Sequence, residues 1–229
     1  MTDTRIGGNR TDFPSTKWGL VRLAGRDTGS MDSILRVYWK PLYFFVRQKG
    51  FDNEAAKDLV QGFLTLLVSR KAFASADPSR GRFRSLLLAS LENFIRDRRK
   101  ESVRTKRGGG QKPLPLDFAA GEEEFSRGGK SRGSPEYRVG RAWAQSLFAE
   151  CLSQIQASPV HGTALRLHLA GEGYASIAER TGLSEAAART AVHRLFGQFR
   201  EILTRHLLST AVRESDLAEE IDEFISLLR

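Results

Sequence analysis

The chain has 229 residues, 40% of them hydrophobic and 28% charged, an ordinary globular balance that supports one large domain or two small ones. Its formal net charge is +9 and its isoelectric point about 10.0, which favours a polyanionic partner because contact with phosphates releases counterions; acidic proteins and membrane surfaces are the other partners such a charge fits. A single cysteine, Cys151, excludes an internal disulfide, and four scattered histidines without cysteine or carboxylate companions give no metal-ligand spacing, so neither metal nor cofactor is expected. The N-terminus lacks a signal-peptide pattern and no stretch approaches the roughly 20 apolar residues of a membrane span, so a cytoplasmic protein without a membrane partner is expected.

In chain order, residues 1–30 read as a polar N-terminal extension, with a short helix over Ser15 to Gly25 carrying Trp18, Leu20, Val21 and Leu23. Met31 to Lys49 reads as a long helix: Ile34, Leu35, Tyr38, Leu42, Phe45 and Val46 recur at three- and four-residue steps. Pro41 is expected to perturb it locally and Gly50 to end it. A second helix is expected from Asn53 to Ser69, then a turn at Asp77 to Gly81, then a third helix from Phe83 to about Lys100. The third ends in cations, Arg96, Arg98, Arg99 and Lys100, continued by Arg104, Lys106 and Arg107, and only part of that cluster is needed to complement a helix dipole.

From Gly108 to Gly140 periodicity gives way to Gly, Pro, Ser and charged residues, including Glu122-Glu123-Glu124, and a flexible linker is expected. Helical periodicity resumes near Arg141 with Trp143, Leu147, Phe148, Cys151, Leu152 and Ile155. A helix after Pro159 runs through Leu165, Leu167 and Leu169 to Gly171 or Gly173, and Asp216 to Leu228 forms a last amphipathic segment. No strand-like alternation competes. The expected class is all-α: two helical domains, 31–107 and 141–210, joined by the linker 108–140 and followed by a C-terminal helix within 211–229.

The sharpest local signal lies between Tyr174 and Phe196. Ile177 and Ala178 supply the inner face of a short helix, Gly182 suits a left-handed corner, Leu183 fills the angle, and Ser184 is a good N-cap. Ala188, Val192, Leu195 and Phe196 then face inward, which is helix-turn-helix grammar. The other face of the second helix offers Glu185, Arg189, Thr190, His193 and Arg194 to a major groove, where arginine reads guanine bidentately. Arg189 is the candidate for base contact and Arg194 for phosphate; the competing reading is a plain helical corner with a solvated basic face, and for His193 an ordinary surface imidazole.

The phrases Tyr38-Trp39-Lys40-Pro41-Leu42-Tyr43, Gly81-Arg82-Phe83-Arg84-Ser85-Leu86-Leu87 and Lys106-Arg107-Gly108-Gly109-Gly110, in that order and ahead of Val192-His193-Arg194-Leu195, carry a resemblance. From about Trp18 onward the chain resembles the extracytoplasmic-function group of the bacterial sigma-seventy family. The resemblance implies region two, which binds core RNA polymerase and melts the minus-ten element, and region four, which binds the minus-thirty-five element of promoter DNA. It places polymerase docking on Asn53–Ser69, with Asp58, Leu59 and Gln61 matching an Asp-Leu-x-Gln core. It places melting on Phe83–Arg107, where Asn93 and Asp97 match an Asn-x-x-x-Asp spacing and Asn93 is the candidate for holding a flipped base. The cations from Arg96 to Arg107 would track the phosphate backbone.

Two departures from the family stand out. Leu86 lies near a position that is often Trp in the melting helix. The acidic quartet usual ahead of Leu59 is replaced by Ala55-Ala56-Lys57-Asp58, so two carboxylates are lost and one cation is gained, which predicts weaker basal docking on a basic partner surface. Thr65 returns to nearly the same helix face seven residues after Asp58, which makes it a candidate phosphosite for a Ser/Thr kinase: a phosphate there adds about −1.5 to −2 charge. The competing reading is an ordinary half-buried helix residue. An anti-sigma factor and the C-terminal segment itself are the other candidate regulators.

The sequence reading is therefore a sigma factor that directs promoter-specific initiation and catalyses nothing itself. Gly108-Gly109-Gly110 lacks the Lys-Ser/Thr sequel of a nucleotide loop, and no nucleophile or paired-acid grouping appears. The alternatives are a stand-alone helix-turn-helix regulator, with Asp216–Leu228 as dimer interface, and a nucleic-acid-processing enzyme; on the sigma reading Asp216–Leu228 is expected to pack on region four or to serve as a regulatory extension.

Overall fold

The computed structural model describes residues 28–69, 82–102, 114, 116–128, 134–210 and 214–228. Among them every regular element is helical: α1 (Thr28–Gln48), α2 (Asn53–Ser69), α3 (Phe83–Ser102), α4 (Phe118–Gly128), α5 (Pro135–Ser153), α6 (Pro159–Leu169), α7 (Tyr174–Thr181), α8 (Glu185–Thr210) and α9 (Leu217–Leu228), with a 3-10 turn at Glu214–Asp216 before α9. The all-α class thus holds. The short helix expected over Ser15 to Gly25 and the turn at Asp77 to Gly81 lie outside the described residues.

Helix α1 is the centre of the structure and touches α2, α3, α4 and, most extensively, α5. It buries residues on nearly all sides, among them Ile34, Val37, Leu42, Tyr43 and Val46. Each such burial stabilises by roughly 1.5–3 kcal/mol, which explains why α1 runs unbroken through Pro41. Gly50, at φ +87°, ends the helix as expected, its N–H donating to the Arg47 carbonyl. Asp52 caps α2 by accepting from the Ala55 N–H at 2.8 Å.

The stretch expected as a flexible linker is corrected in part. Asp117 accepts from the Ala120 N–H at 3.1 Å and starts α4, and Ser134 caps α5, which begins at Pro135 rather than near Arg141. Phe118 is buried edge-on against Trp39 and Tyr43, and the half-buried Phe125 lies edge-on against Phe44. Two aromatics seven residues apart lie on one helix face, and Gly121 between them lets α4 approach closely: a Cβ there would sit 3.0 Å from two ring carbons of Trp39. Gly121→Val should therefore destabilise the chain by about 1–3 kcal/mol, read by thermal unfolding, and an unchanged midpoint would contradict the seating of α4.

Acidic residues of α4 find cations on α1. Glu122 accepts from Arg47 Nη2 at 2.8 Å and from the Tyr43 hydroxyl, and Glu124 pairs with Lys40 at 2.7 Å. Burial pushes the Glu122 carboxyl up, but the hydrogen bonds from Arg47, Tyr43 and Ser126 outweigh it and hold the group below its usual range. Burial and the same carboxylate push the Tyr43 phenol up.

Two hydrophobic clusters result, and they divide the chain differently from the expected domain boundaries. The large one joins α1–α4 to α5, the C-terminal half of α8 and α9; the small one holds Ala164, Leu165, Ile177, Ala188, Val192 and Leu195 of α6, α7 and early α8. Helix α8 belongs to both because its 26 residues span more than one core.

Candidate nucleic-acid interface

The helix-turn-helix is built by α7 and α8. Gly182 adopts φ +72°, the left-handed conformation the corner needs, and its N–H closes α7 on the Ala178 carbonyl. Ser184 caps α8, accepting from the Ala187 N–H at 3.1 Å, and Leu183 packs into the small cluster. Ile177, Ala188, Val192 and Leu195 are buried and Phe196 half-buried, as the spacing predicts. Ser184, Glu185, Arg189, Thr190, His193 and Arg194 are all exposed, so the structure presents this predicted set together on the outer face.

Two of these side chains have partners that no local pattern indicates. The Arg189 guanidinium lies over the Tyr174 ring at 4.9 Å, and Tyr174 in turn stacks on His168 with centroids 5.1 Å apart. Arg194 Nη2 is 3.1 Å from His161 Nδ1 on α6. Cation–π contact at an exposed site is worth about 0.5–1 kcal/mol, enough to bias the Arg189 rotamer without fixing it.

A second exposed set lies on α3: Asn93, Arg96, Asp97, Arg98 and Arg99. Arg98 lies over Phe94 at 5.2 Å and Arg99 over Phe51 at 4.9 Å, so both rest on aromatic faces with their guanidinium groups outward. Lys100 continues the helix, while Arg104, Lys106 and Arg107 lie outside the described residues.

On α2, Asp58 is exposed and Leu59 and Gln61 are half-buried. Gln61 donates from Nε2 to the Leu114 carbonyl at 3.3 Å, so the chain ahead of α4 lies against this helix. The half-buried Thr65 donates from Oγ1 to the Gln61 carbonyl at 2.7 Å. Lys57 pairs locally with Glu54 at 2.8 Å, an exposed i,i+3 contact of little energetic weight.

Polar contacts at the junction of the helices escaped the sequence reading. Glu150 of α5, 3% exposed, accepts from Ser33 Oγ at 2.8 Å, Arg36 Nε at 2.7 Å and Gln154 Nε2 at 2.8 Å. Burial pushes its carboxyl up, but these hydrogen bonds outweigh burial and hold it below the usual range. His206 of α8, buried beside Gln154, is held below the usual imidazole range by burial, with Arg205 acting in the same sense and Glu150 opposing. The only signal for either was a polar residue at an inward helical position.

Among the described residues no group of three His, Cys, Asp or Glu side chains is placed to hold a metal ion, and no helix is long and apolar enough to cross a membrane. Comparison of the chain with protein-family models, curated proteins and solved structures returned no match.

Proposed function

We propose that the chain is a promoter-recognition factor of the extracytoplasmic-function sigma type, acting with core RNA polymerase and catalysing nothing itself. The observation that carries this reading is the pair of exposed basic faces on separate helices, Arg189 to Arg194 on α8 and Asn93 to Arg99 on α3, in one strongly basic chain. The α8 face is a recognition helix behind a capped corner, suited to the major groove of duplex DNA. The α3 face combines an exposed amide with arginines, suited to an unpaired base flanked by phosphates. Asp58, Leu59 and Gln61 on α2 are the candidate polymerase contacts, and Thr65 behind them is the candidate phosphosite.

Reconstitution tests the reading: transcripts from a promoter template should appear only when chain and core polymerase are both present. Arg189→Ala should then lower the transcript yield at limiting concentration by roughly 5- to 150-fold, the equivalent of about 1–3 kcal/mol for a bidentate base contact. Binding of a palindromic duplex as a dimer, without response to polymerase, would favour the stand-alone regulator instead.

A further inference from the structure

Helix α9 faces two cations at the start of α3, Arg82 and Arg84, which lie 141 and 139 residues from their shared partner Glu223. Arg82 Nε is 2.8 Å from Glu220 Oε1, and Arg82 Nη1 is 2.6 Å from Glu223 Oε2. Arg84 Nη2 is 2.5 Å from Glu223 Oε2 and its Nη1 3.6 Å from Glu220 Oε2. Glu219 adds a longer contact to Arg82 at 3.9 Å. The apolar face of the same helix is committed: Phe224 meets Trp143 of α5 edge-on, Leu227 packs against Gly140, and Arg84 lies over the Trp143 ring at 4.5 Å.

The acids recur at positions 219, 220 and 223, one and four residues apart, so one helix face carries them while the adjacent face carries Phe224 and Leu227. Glu220 is only 5% exposed, and burial pushes its carboxyl up despite Arg84 and Arg82 nearby. A buried acid of this kind is held by its partners rather than by water. The arrangement binds two stretches of chain, the start of α3 and α9, that the expected architecture would place in separate units.

We propose that α9 is an internal acidic clasp: it holds α3 and α5 together and occupies Arg82 and Arg84, two cations that DNA phosphates would otherwise engage. Promoter DNA, duplex or melted, as the competitor rests on the promoter-recognition reading; the clasp itself rests on the contacts alone. Phosphate replacing Glu220 and Glu223 on the two arginines releases α9 from the start of α3. The free chain is thereby restrained from binding DNA at random.

Amide hydrogen exchange of residues 217–228 in the full chain, with affinity for a random-sequence duplex, tests this. Glu220→Gln/Glu223→Gln should raise exchange in α9 at least tenfold and raise duplex affinity several-fold above an equal-charge control, Glu201→Gln/Asp222→Asn. Arg82→Gln/Arg84→Gln should speed α9 exchange to a similar degree, which guards against a defect peculiar to buried glutamines. Unchanged α9 exchange in both variants, or duplex affinity no greater than the control's, would overturn the clasp. If exchange and affinity behave as described but no variant yields transcripts with polymerase, the clasp stands and the promoter reading falls.

Discussion

Trp143→Ala should lower the unfolding free energy by about 3–5 kcal/mol, the largest single-residue loss expected in the chain. The indole is 3% exposed and sits where α1, α3, α5 and α9 converge. It meets Phe224 at a ring-centroid distance of 6.2 Å and carries the Arg84 guanidinium on its face. It also lines an open groove of about 340 Å³ whose other lining includes Leu42, Phe45, Leu87, Leu88 and Val139. Removing the ring leaves a gap where four helices meet, which the surrounding side chains close only in part. Chemical denaturation read by tryptophan-independent circular dichroism measures it. Trp143→Phe should retain the edge-on contact and lose less. A loss under 1 kcal/mol in the alanine variant would contradict this packing.

Acid should destabilise the chain in two stages, both traceable to the junction of α1, α5 and α8. The folded-state pKa of His206 is depressed, so protonation favours the unfolded chain: its contribution is fully present above the unfolded value of about 6.5 and is lost as pH falls through that value toward the folded pKa. Glu150 also has a depressed folded pKa, so its contribution is present above the unfolded value of about 4.3 and is lost as pH falls through the folded pKa. The first stage should vanish in His206→Gln and the second in Glu150→Gln, as read from urea midpoints between pH 8 and pH 3.5. Glu150→Gln should also lower stability near pH 7 by about 1.5–3 kcal/mol, the scale of a hydrogen bond to a charged group. That estimate leans on Ser33 and Gln154, because the Arg36 side chain is 59% exposed and its ion pair is screened by water. Parallel pH profiles for wild type and both variants would refute the assignment.

Much of the fold was legible because burial in a helix is periodic. Ile34, Leu42 and Val46 predict the inner face of α1, and Ala188, Val192 and Leu195 that of α8, from spacing alone. Helix α4 was missed because Gly121 and three successive glutamates mask its two aromatics, Phe118 and Phe125. Two of those acids, Glu122 and Glu124, look solvated in sequence and acquire cations only when α1 brings up Arg47 and Lys40. Ser184 and Gly182 were readable as corner chemistry because capping and positive φ are local demands. The Tyr174 ring under Arg189 and the Glu150 node were not, since the first depends on how two neighbouring helices cross and the second on Ser33 and Arg36 far along the chain. The destination of α9 had the same difficulty: its amphipathic pattern shows that it packs, and only the tertiary arrangement shows that Arg82 and Arg84 receive its acids.

Footprinting of one promoter with chain and polymerase together tests the two-face account most directly. Wild type should protect two separate DNA segments and render thymines in the downstream one reactive as unpaired bases; Arg189→Ala should lose the upstream protection, and Asn93→Ala the downstream reactivity. A single protected segment, or identical patterns from both variants, would contradict it.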